Sequence, residues 1–222
     1  MSPADFASAY ARLQACRAVS SVSLMSHFAC ADDLANELNN NQLHEFVKVI
    51  SDIDADASMA NSAAIMQLPA SHFDVVRPGI MLYGSSPVAG RSAAELGLQA
   101  VMNFESRLIA IKSLKKGDAI GYGADWVCPQ AMTVGYVGVG YGDGYPRHAR
   151  SGTPVWLNGQ RCDLLGRVSM DSLCIDLSQV DAAIGDRVVL WGRELPVDEV
   201  AAAADTIAYE LLCQAGSMSP AV

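Results

Sequence analysis

The chain has 222 residues, a formal net charge of −9, 51% hydrophobic residues and 18% charged ones. That profile belongs to a globular protein with apolar mass for one large or two small domains, and its acidity argues against nucleic acid and anionic membrane surfaces as partners. No apolar run approaches the ~18 residues of a membrane span, and Met1-Ser2-Pro3-Ala4-Asp5 has none of the features of a signal peptide. Cys16, Cys30, Cys128, Cys162, Cys174 and Cys213 are scattered, mostly in apolar runs, without C-x-x-C spacing. They read as reduced core cysteines of a cytosolic protein, with neither a disulfide frame nor a metal site.

Up to about residue 95, strand-like and helix-like segments alternate. Ser20 to His27 is a short β-rich run, and a helical pattern follows from Asp32 through Leu38. Leu43 to Ile50 reads as helix, and Ser58 to Asn61 links into a further helix at Ser62-Ala63-Ala64-Ile65-Met66. Phe73 to Val76 and Ile80 to Tyr83 are apolar runs. Such alternation implies a parallel sheet, doubly wound or part of a barrel. An eight-stranded barrel needs roughly 250 residues, so 1–95 would hold only part of one. The stretch from Gly84-Ser85-Ser86-Pro87 to Leu96 is linker-like.

Beyond it the pattern turns to strands at Phe104–Ile111, Met132–Tyr141, Val155–Leu157, Val168–Leu177 and Arg187–Trp191. Lys116-Gly117-Asp118 and Gly185-Asp186 mark turns, and Asn158-Gly159 is a strong hairpin signal. A helix opens near Pro196, with Asp198 and Glu199 in its first turn. The expected fold is therefore α/β plus β, with a partial barrel over 1–95 and a mainly-β domain over 96–222.

Several short motifs carry chemistry. In Val137 to Arg150, V-G-V-G-Y-G-D-G-Y-P-R-H-A-R, glycines flank Tyr141 at what reads as a strand end. Glycines there let another backbone or a flat ligand approach and deliver one phenol to it. A phenol has a reference pKa near ~10, so it acts as a base only where cations support the phenolate. The plainer reading is a hairpin turning at Asp143-Gly144. Ser62 opens a helix, as an ordinary cap or as part of a phosphate site. Arg77-Pro78-Gly79-Ile80 aims a guanidinium from a strand end, at a ligand or at a surface carboxylate, and Gly79 permits close backbone approach. His27 ends an apolar strand, as a ligand group or a structural histidine. Gly166-Arg167-Val168-Ser169-Met170-Asp171 alone reads as a core strand.

Together these motifs resemble alanine racemase, a pyridoxal 5'-phosphate enzyme. The resemblance runs in order through Leu24-Met25-Ser26-His27-Phe28-Ala29, Ala60-Asn61-Ser62-Ala63-Ala64 and Arg77-Pro78-Gly79-Ile80-Met81-Leu82-Tyr83-Gly84. It continues in Gly140-Tyr141-Gly142-Asp143-Gly144-Tyr145-Pro146-Arg147, Gly166 to Asp171 and Tyr209-Glu210-Leu211. It implies a (β/α)8 TIM-type barrel followed by a β-domain. It also implies that Tyr141 moves the α-proton on the L-alanine face, and that Ser62 with the Gly79 and Ile80 backbone cradles the phosphate. Arg77 then sits at the pyridine nitrogen, and His27 links Arg77 to the tyrosine. Met170 helps to hold the substrate carboxylate through its backbone. The family is a homodimer in which tyrosine and methionine come from the opposite subunit.

Two departures stand out. The family's second base, the lysine that binds the cofactor, lies in a V-x-K-x-N-A-Y-G-H-G-like segment, whereas the lysines here are Lys48, Lys112, Lys115 and Lys116, none in that context. The substrate-binding arginine of that missing region is absent too. At the other end, Gln214-Ala215-Gly216-Ser217-Met218-Ser219-Pro220 replaces the family's R-V-P-rich ending and the phosphate-binding tyrosine it supplies. The expectation is the C-terminal part of a racemase, inactive by itself. The alternatives are a racemase of another small amino acid such as serine, and a non-enzymatic truncated product or binding module.

Overall fold

Ser2 caps the first helix, α1 (Pro3–Gln14), by accepting a bond from the Asp5 amide, with proline in the first turn. The computed structural model describes residues 1–216, so the Ser217-Met218-Ser219-Pro220 part of the departing C-terminal sequence lies outside the described residues. The chain divides into two compact units, Met1–Leu82 with Ser86–Arg91, and Tyr83–Ser85 with Ser92 onward. Among the described residues, no helix is long and apolar enough to cross a membrane.

In the first unit, β1 (Leu24–Met25) pairs in parallel with β2 (Ala57–Ser58), with α2 (Leu38–Ile50) between them in sequence. This is one β-α-β step of an α/β barrel. α3 (Ser62–Gln67) follows β2. Phe28, Ala31, Met59, Ala60, Ala63 and Ala64 form the core, and Leu43, Phe46 and Phe73 pack on it. Phe46 meets Phe73 edge to face at 5.4 Å.

Several sequence expectations give way here. Of Ser20–His27, only Leu24–Met25 is strand. Residues 32–37 are not helical, because short polar side chains compete for the backbone donors. Asp33 Oδ1 accepts from the Ala35 amide and Asn36 Oδ1 from the Leu38 amide, so the helix starts only at Leu38. Phe73–Val76 forms no strand either. Phe73 takes a positive φ of 48°, and the amides of Asp74 and Val75 both converge on the Ala57 carbonyl instead of making a ladder. Ile80–Tyr83 is a 3-10 turn.

The second unit is a six-stranded antiparallel barrel. Its strands are β3 (Phe104–Leu114), β6 (Met132–Val137), β7 (Pro154–Leu157), β8 (Gln160–Leu165), β9 (Leu173–Asp176) and β10 (Arg187–Trp191). The order β10-β3-β6-β9-β8-β7 closes because β10 also pairs with β7. A small ribbon, β4 (Ala119–Ile120) with β5 (Trp126–Val127), sits outside this ring. The helices α4 (Val197–Ala203) and α5 (Ala208–Gly216) follow. Val134, Val155, Leu157, Leu164, Ile175, Val188 and Leu190 are fully buried inside.

Asn158-Gly159 does make the β7–β8 hairpin, with Leu157 opposite Gln160 and positive φ at both turn residues, 47° and 85°. β8, absent from the expected strands, is the hairpin's other arm. The expected strand Val168–Leu177 shortens to β9. β6 stops at Val137, so Tyr141 is not on a strand. Nor is Asp143-Gly144 a hairpin: Gly144, at φ 92°, ends a 3-10 turn over Tyr141–Asp143 and donates to the Tyr141 carbonyl.

The cysteines are free and divide by position. Cys128, Cys162 and Cys174 are buried, Cys30 is half-buried, and Cys16 and Cys213 are exposed, so the last two are not core residues. Burial, then Asp176 and Asp163, pushes the Cys162 thiol from 9.0 to about 11. Burial, then Cys128 and Asp176, pushes Cys174 to about 12. The unfolded chain therefore loses these protons near 9.0 while the folded one keeps them. Stability is full below that pH and falls as pH rises toward 11 and 12. Denaturant midpoints should drop across this alkaline window, and iodoacetamide should modify Cys16 and Cys213 natively but the three buried thiols only after unfolding. A flat midpoint with five or six rapid alkylations would contradict this burial.

Candidate functional site

Each unit carries one cluster of the motif residues. In the first, Arg77 is drawn in by its own backbone, since its amide donates to the Ala60 carbonyl at 2.9 Å just beyond β2. Its guanidinium then meets acceptors from two segments. Nη1 donates to Ser58 Oγ at 2.6 Å, and Nη2 to the Ser26 carbonyl at 2.8 Å and to His27 Nδ1 at 3.0 Å. A guanidinium has no accepting lone pair, so His27 Nδ1 must be the acceptor and a neutral His27 carries its proton on Nε2. Gln42 of α2 holds the histidine segment, donating to the His27 carbonyl and accepting from the Ala29 amide.

Ser62 lies beside this arrangement in sequence and has a different role from a cap. The cap of α3 is Asn61, whose Oδ1 accepts from the Ala64 amide at 3.0 Å. Ser62 is 3% exposed, and its Oγ accepts from the Gly79 amide at 2.7 Å and from the Met81 amide at 3.4 Å. As an acceptor in both bonds, the hydroxyl still has its own proton to donate. A Cβ on Gly79 would stand 3.7 Å from Ser62 Oγ, so the missing side chain leaves room over the hydroxyl. Ile80 is buried directly after it. The free hydroxyl proton and the open backbone at Gly79-Ile80 suit an anion such as a phosphate ester.

In the second unit, Tyr141 and Met170 are brought together by backbone. The Tyr141 amide donates to the Ser169 carbonyl at 3.0 Å, and the Gly142 amide to the Met170 carbonyl at 2.8 Å. The glycines around Tyr141 admit a close backbone, as the motif implied, and that backbone is Ser169-Met170. Asp143 Oδ2 accepts from the Gly140 amide at 2.9 Å and closes the turn. The Arg147 guanidinium lies 5.9 Å from the centre of the Tyr141 ring, within cation–π range. Tyr141 is 38% exposed and Met170 54%, both next to open space.

Sequence reasoning missed Ser58, Asp143 and Arg147. Asp143 had a signal, since its spacing of three from Gly140 is that of a capping carboxylate. Ser58 had none, because its partner is 19 residues away.

A β-α-β barrel segment, joined in one chain to a β-barrel presenting a tyrosine, is the layout of a two-domain amino-acid racemase. Family models agree: the alanine racemase N-terminal domain matches residues 1–87 and the alanine racemase C-terminal domain matches 101–222. The chain belongs to the alanine racemase family. It is 55% identical over 220 residues to the alanine racemase of Nitrosococcus oceani, covering 98% of this chain and 62% of that one. The crystal structure of the biosynthetic alanine racemase of Pseudomonas aeruginosa superposes with a TM-score of 0.93 at 47% identity, over 98% of this chain and 61% of that one. A structure of the Bartonella henselae alanine racemase, described with covalently bound pyridoxal phosphate, matches with a TM-score of 0.78 at 31% identity, over 86% of this chain and 54% of that one. The chain thus spans about three fifths of the length of the relatives it matches.

Proposed function

We propose that this chain supplies the phosphate cradle, the ring-nitrogen partner and one of two bases of a racemase that interconverts L- and D-alanine with pyridoxal 5'-phosphate. The observation that carries the reading is the Arg77 guanidinium, held by Ser58, Ser26 and His27 beside the Ser62–Gly79 pair. When bound, the cofactor supplies an electron-withdrawing ring that acidifies the α-C–H of an attached amino acid.

The Ser62 hydroxyl and the Ile80 backbone would hold the phosphate, with the Gly79 amide, here donated to Ser62 Oγ, turning to it when it binds. Arg77 offers the pyridine nitrogen a hydrogen bond without giving up a proton, since a guanidinium stays charged. It thereby tempers the ring's electron withdrawal and favours proton exchange over side reactions such as transamination. Tyr141 Oη takes or returns the α-proton on the L-alanine face, and the Nε2 proton of the opposite subunit's His27 is the donor that steadies its oxygen. Met170 contributes backbone to the substrate carboxylate. The exposure of Tyr141 and Met170 supports a homodimer in which they face the other subunit's Arg77 cluster. Free, partly buried thiols support a cytosolic setting.

The second base is a cofactor-binding lysine, and none of the four lysines in these residues adjoins either cluster. The test joins the chain to the portion of the Nitrosococcus oceani relative that it does not match. We expect α-hydrogen exchange of L-alanine in deuterated water and racemisation from the joined protein, and neither from residues 1–222 alone. Turnover by the 222-residue chain would overturn the lysine argument. Faster exchange of L-serine than of L-alanine by the joined protein would overturn the substrate.

A further inference from the structure

The tip of the β7–β8 hairpin, Asn158-Gly159, carries chemistry that the racemase reading leaves unused. The side-chain carbonyl carbon of an asparagine can be attacked by the main-chain nitrogen of the next residue. Attack is easiest where glycine follows, because no side chain shields that nitrogen. Both residues are exposed here, and a Cβ on Gly159 would meet nothing within 4 Å. The tip is open to water, and no neighbour crowds the attacking residue.

What restrains the tip is a side-chain latch. Asn158 Nδ2 donates to Asp186 Oδ2 at 2.7 Å and to the Asp181 carbonyl at 3.1 Å. Both hydrogens of the amide nitrogen are engaged, so its departure as ammonia requires the latch to open. Asp186 Oδ2 also accepts from the Ala183 amide at 2.9 Å, which folds the 181–186 turn around the carboxylate. The Ala183 amide first, and then Asn158, hold the Asp186 carboxyl below its ordinary range, so it is ionised at neutral pH. The turn itself is fixed to β3, since Leu108 donates to the Asp186 carbonyl at 2.9 Å and accepts from the Gly185 amide at 2.7 Å. The latch adjoins the seam that closes the barrel, where Leu157 and Trp156 of β7 face Val188 and Val189 of β10.

We propose that Asn158 is a deamidation site which the Asp186 latch keeps closed in the folded chain, and that its conversion to a carboxylate undoes the latch permanently. The Gly159 nitrogen forms a bond to Asn158 Cγ, the bond from Cγ to Nδ2 breaks, and ammonia leaves with the proton that the Gly159 amide gives up. Water then opens the cyclic imide at either carbonyl, giving aspartate or isoaspartate. Either product sets a carboxylate opposite Asp186 where a donor had been, an acceptor facing an acceptor and two like charges. Isoaspartate also adds a carbon to the main chain, for which a two-residue turn pairing Leu157 with Gln160 has no room. All of these residues belong to the second unit, and the site does not rest on the racemase reading.

The test incubates the 222-residue chain, folded and in urea, in the same mildly alkaline buffer. Trypsin releases residues 151–161, whose fragment ions separate Asn158 from Gln160, the other amide side chain of that peptide. Asn158 should gain one mass unit, with aspartate and isoaspartate resolved by chromatography. The gain should be at least ~10-fold slower in the folded chain, where the reaction waits on opening. Asp186→Ala should raise the folded rate about tenfold, the effect expected from losing one charge-assisted hydrogen bond. Asn158→Asp, the product made directly, should melt several degrees below Asn158→Gly, which removes the latch without adding charge. Adding Asp186→Asn to Asn158→Asp exchanges donor and acceptor and should recover most of that difference. Should Asp186→Ala fail to fold, this melting comparison carries the test by itself. Equal rates in urea and in the folded chain, an unchanged rate in folded Asp186→Ala, or deamidation at Gln160 alone would overturn the proposal. So would Asn158→Asp melting with Asn158→Gly.

Discussion

Tyr141→Phe, in the chain joined to the unmatched portion of the Nitrosococcus oceani relative, should lower α-hydrogen exchange from L-alanine by about 10² to 10⁴-fold. Only the phenol oxygen is removed. The ring still lies under the Arg147 guanidinium, and the Tyr141 amide still bonds the Ser169 carbonyl. Cofactor affinity should therefore be unchanged, because Ser62, Gly79 and Arg77 belong to the other unit. Exchange from D-alanine, served by the opposite base, should suffer less than exchange from L-alanine. Near-normal exchange from L-alanine in the Phe variant would remove Tyr141 from the mechanism. Equal losses from both enantiomers would show instead that the substitution disturbs the whole site.

That a local sequence motif led to Tyr141 while its local structure was misread has a physical reason. Val137, Val139 and Tyr141 alternate as a strand does, and nothing within the segment says where pairing stops. The Gly138 amide still takes the Arg107 carbonyl of β3, but the Gly140 amide turns to Asp143 and the next two amides are claimed by Ser169 and Met170. Asp143 is local, but Ser169 and Met170 lie 28 residues from the amides they claim, outside any periodicity argument. The same holds for Phe73–Val76, whose strand-like composition is overridden by bonds to Ala57. Where partners are local, the reading succeeded. Asn158-Gly159 needs only its own two positive φ angles to make a hairpin, and Pro196 with Asp198 and Glu199 needs only the first turn of α4. The Arg77–His27 bond was legible for a different reason: the resemblance placed two residues 50 apart in one network, which neither composition nor spacing does.

The loop that carries Tyr141 depends on Gly140 more than on any side chain, and Gly140→Ala should show it. Gly140 has an ordinary extended φ of −148°, so its requirement is space and not backbone conformation. A Cβ there would stand 2.2 Å from the Met170 carbonyl oxygen and 2.3 Å from that of Ser169. Both are backbone atoms that accept the Gly142 and Tyr141 amides, so relieving the clash breaks the bonds that seat the phenol. Overpacking plus the loss of two backbone bonds should cost about 3 kcal/mol, roughly 10 °C in the melting temperature of a unit this size. Gly138→Ala is the control two residues away. Its Cβ would meet Ile109 Cγ2 at 3.0 Å, a side-chain atom that can yield, so the cost should stay below about 1 kcal/mol. Amide hydrogen exchange locates the damage: in Gly140→Ala the Tyr141 and Gly142 amides should lose protection, while β6 and β9 keep theirs. If Gly140→Ala melts with the wild type and both amides stay protected, the close approach of Ser169-Met170 is not what holds Tyr141. The placement of the phenol would then need another cause.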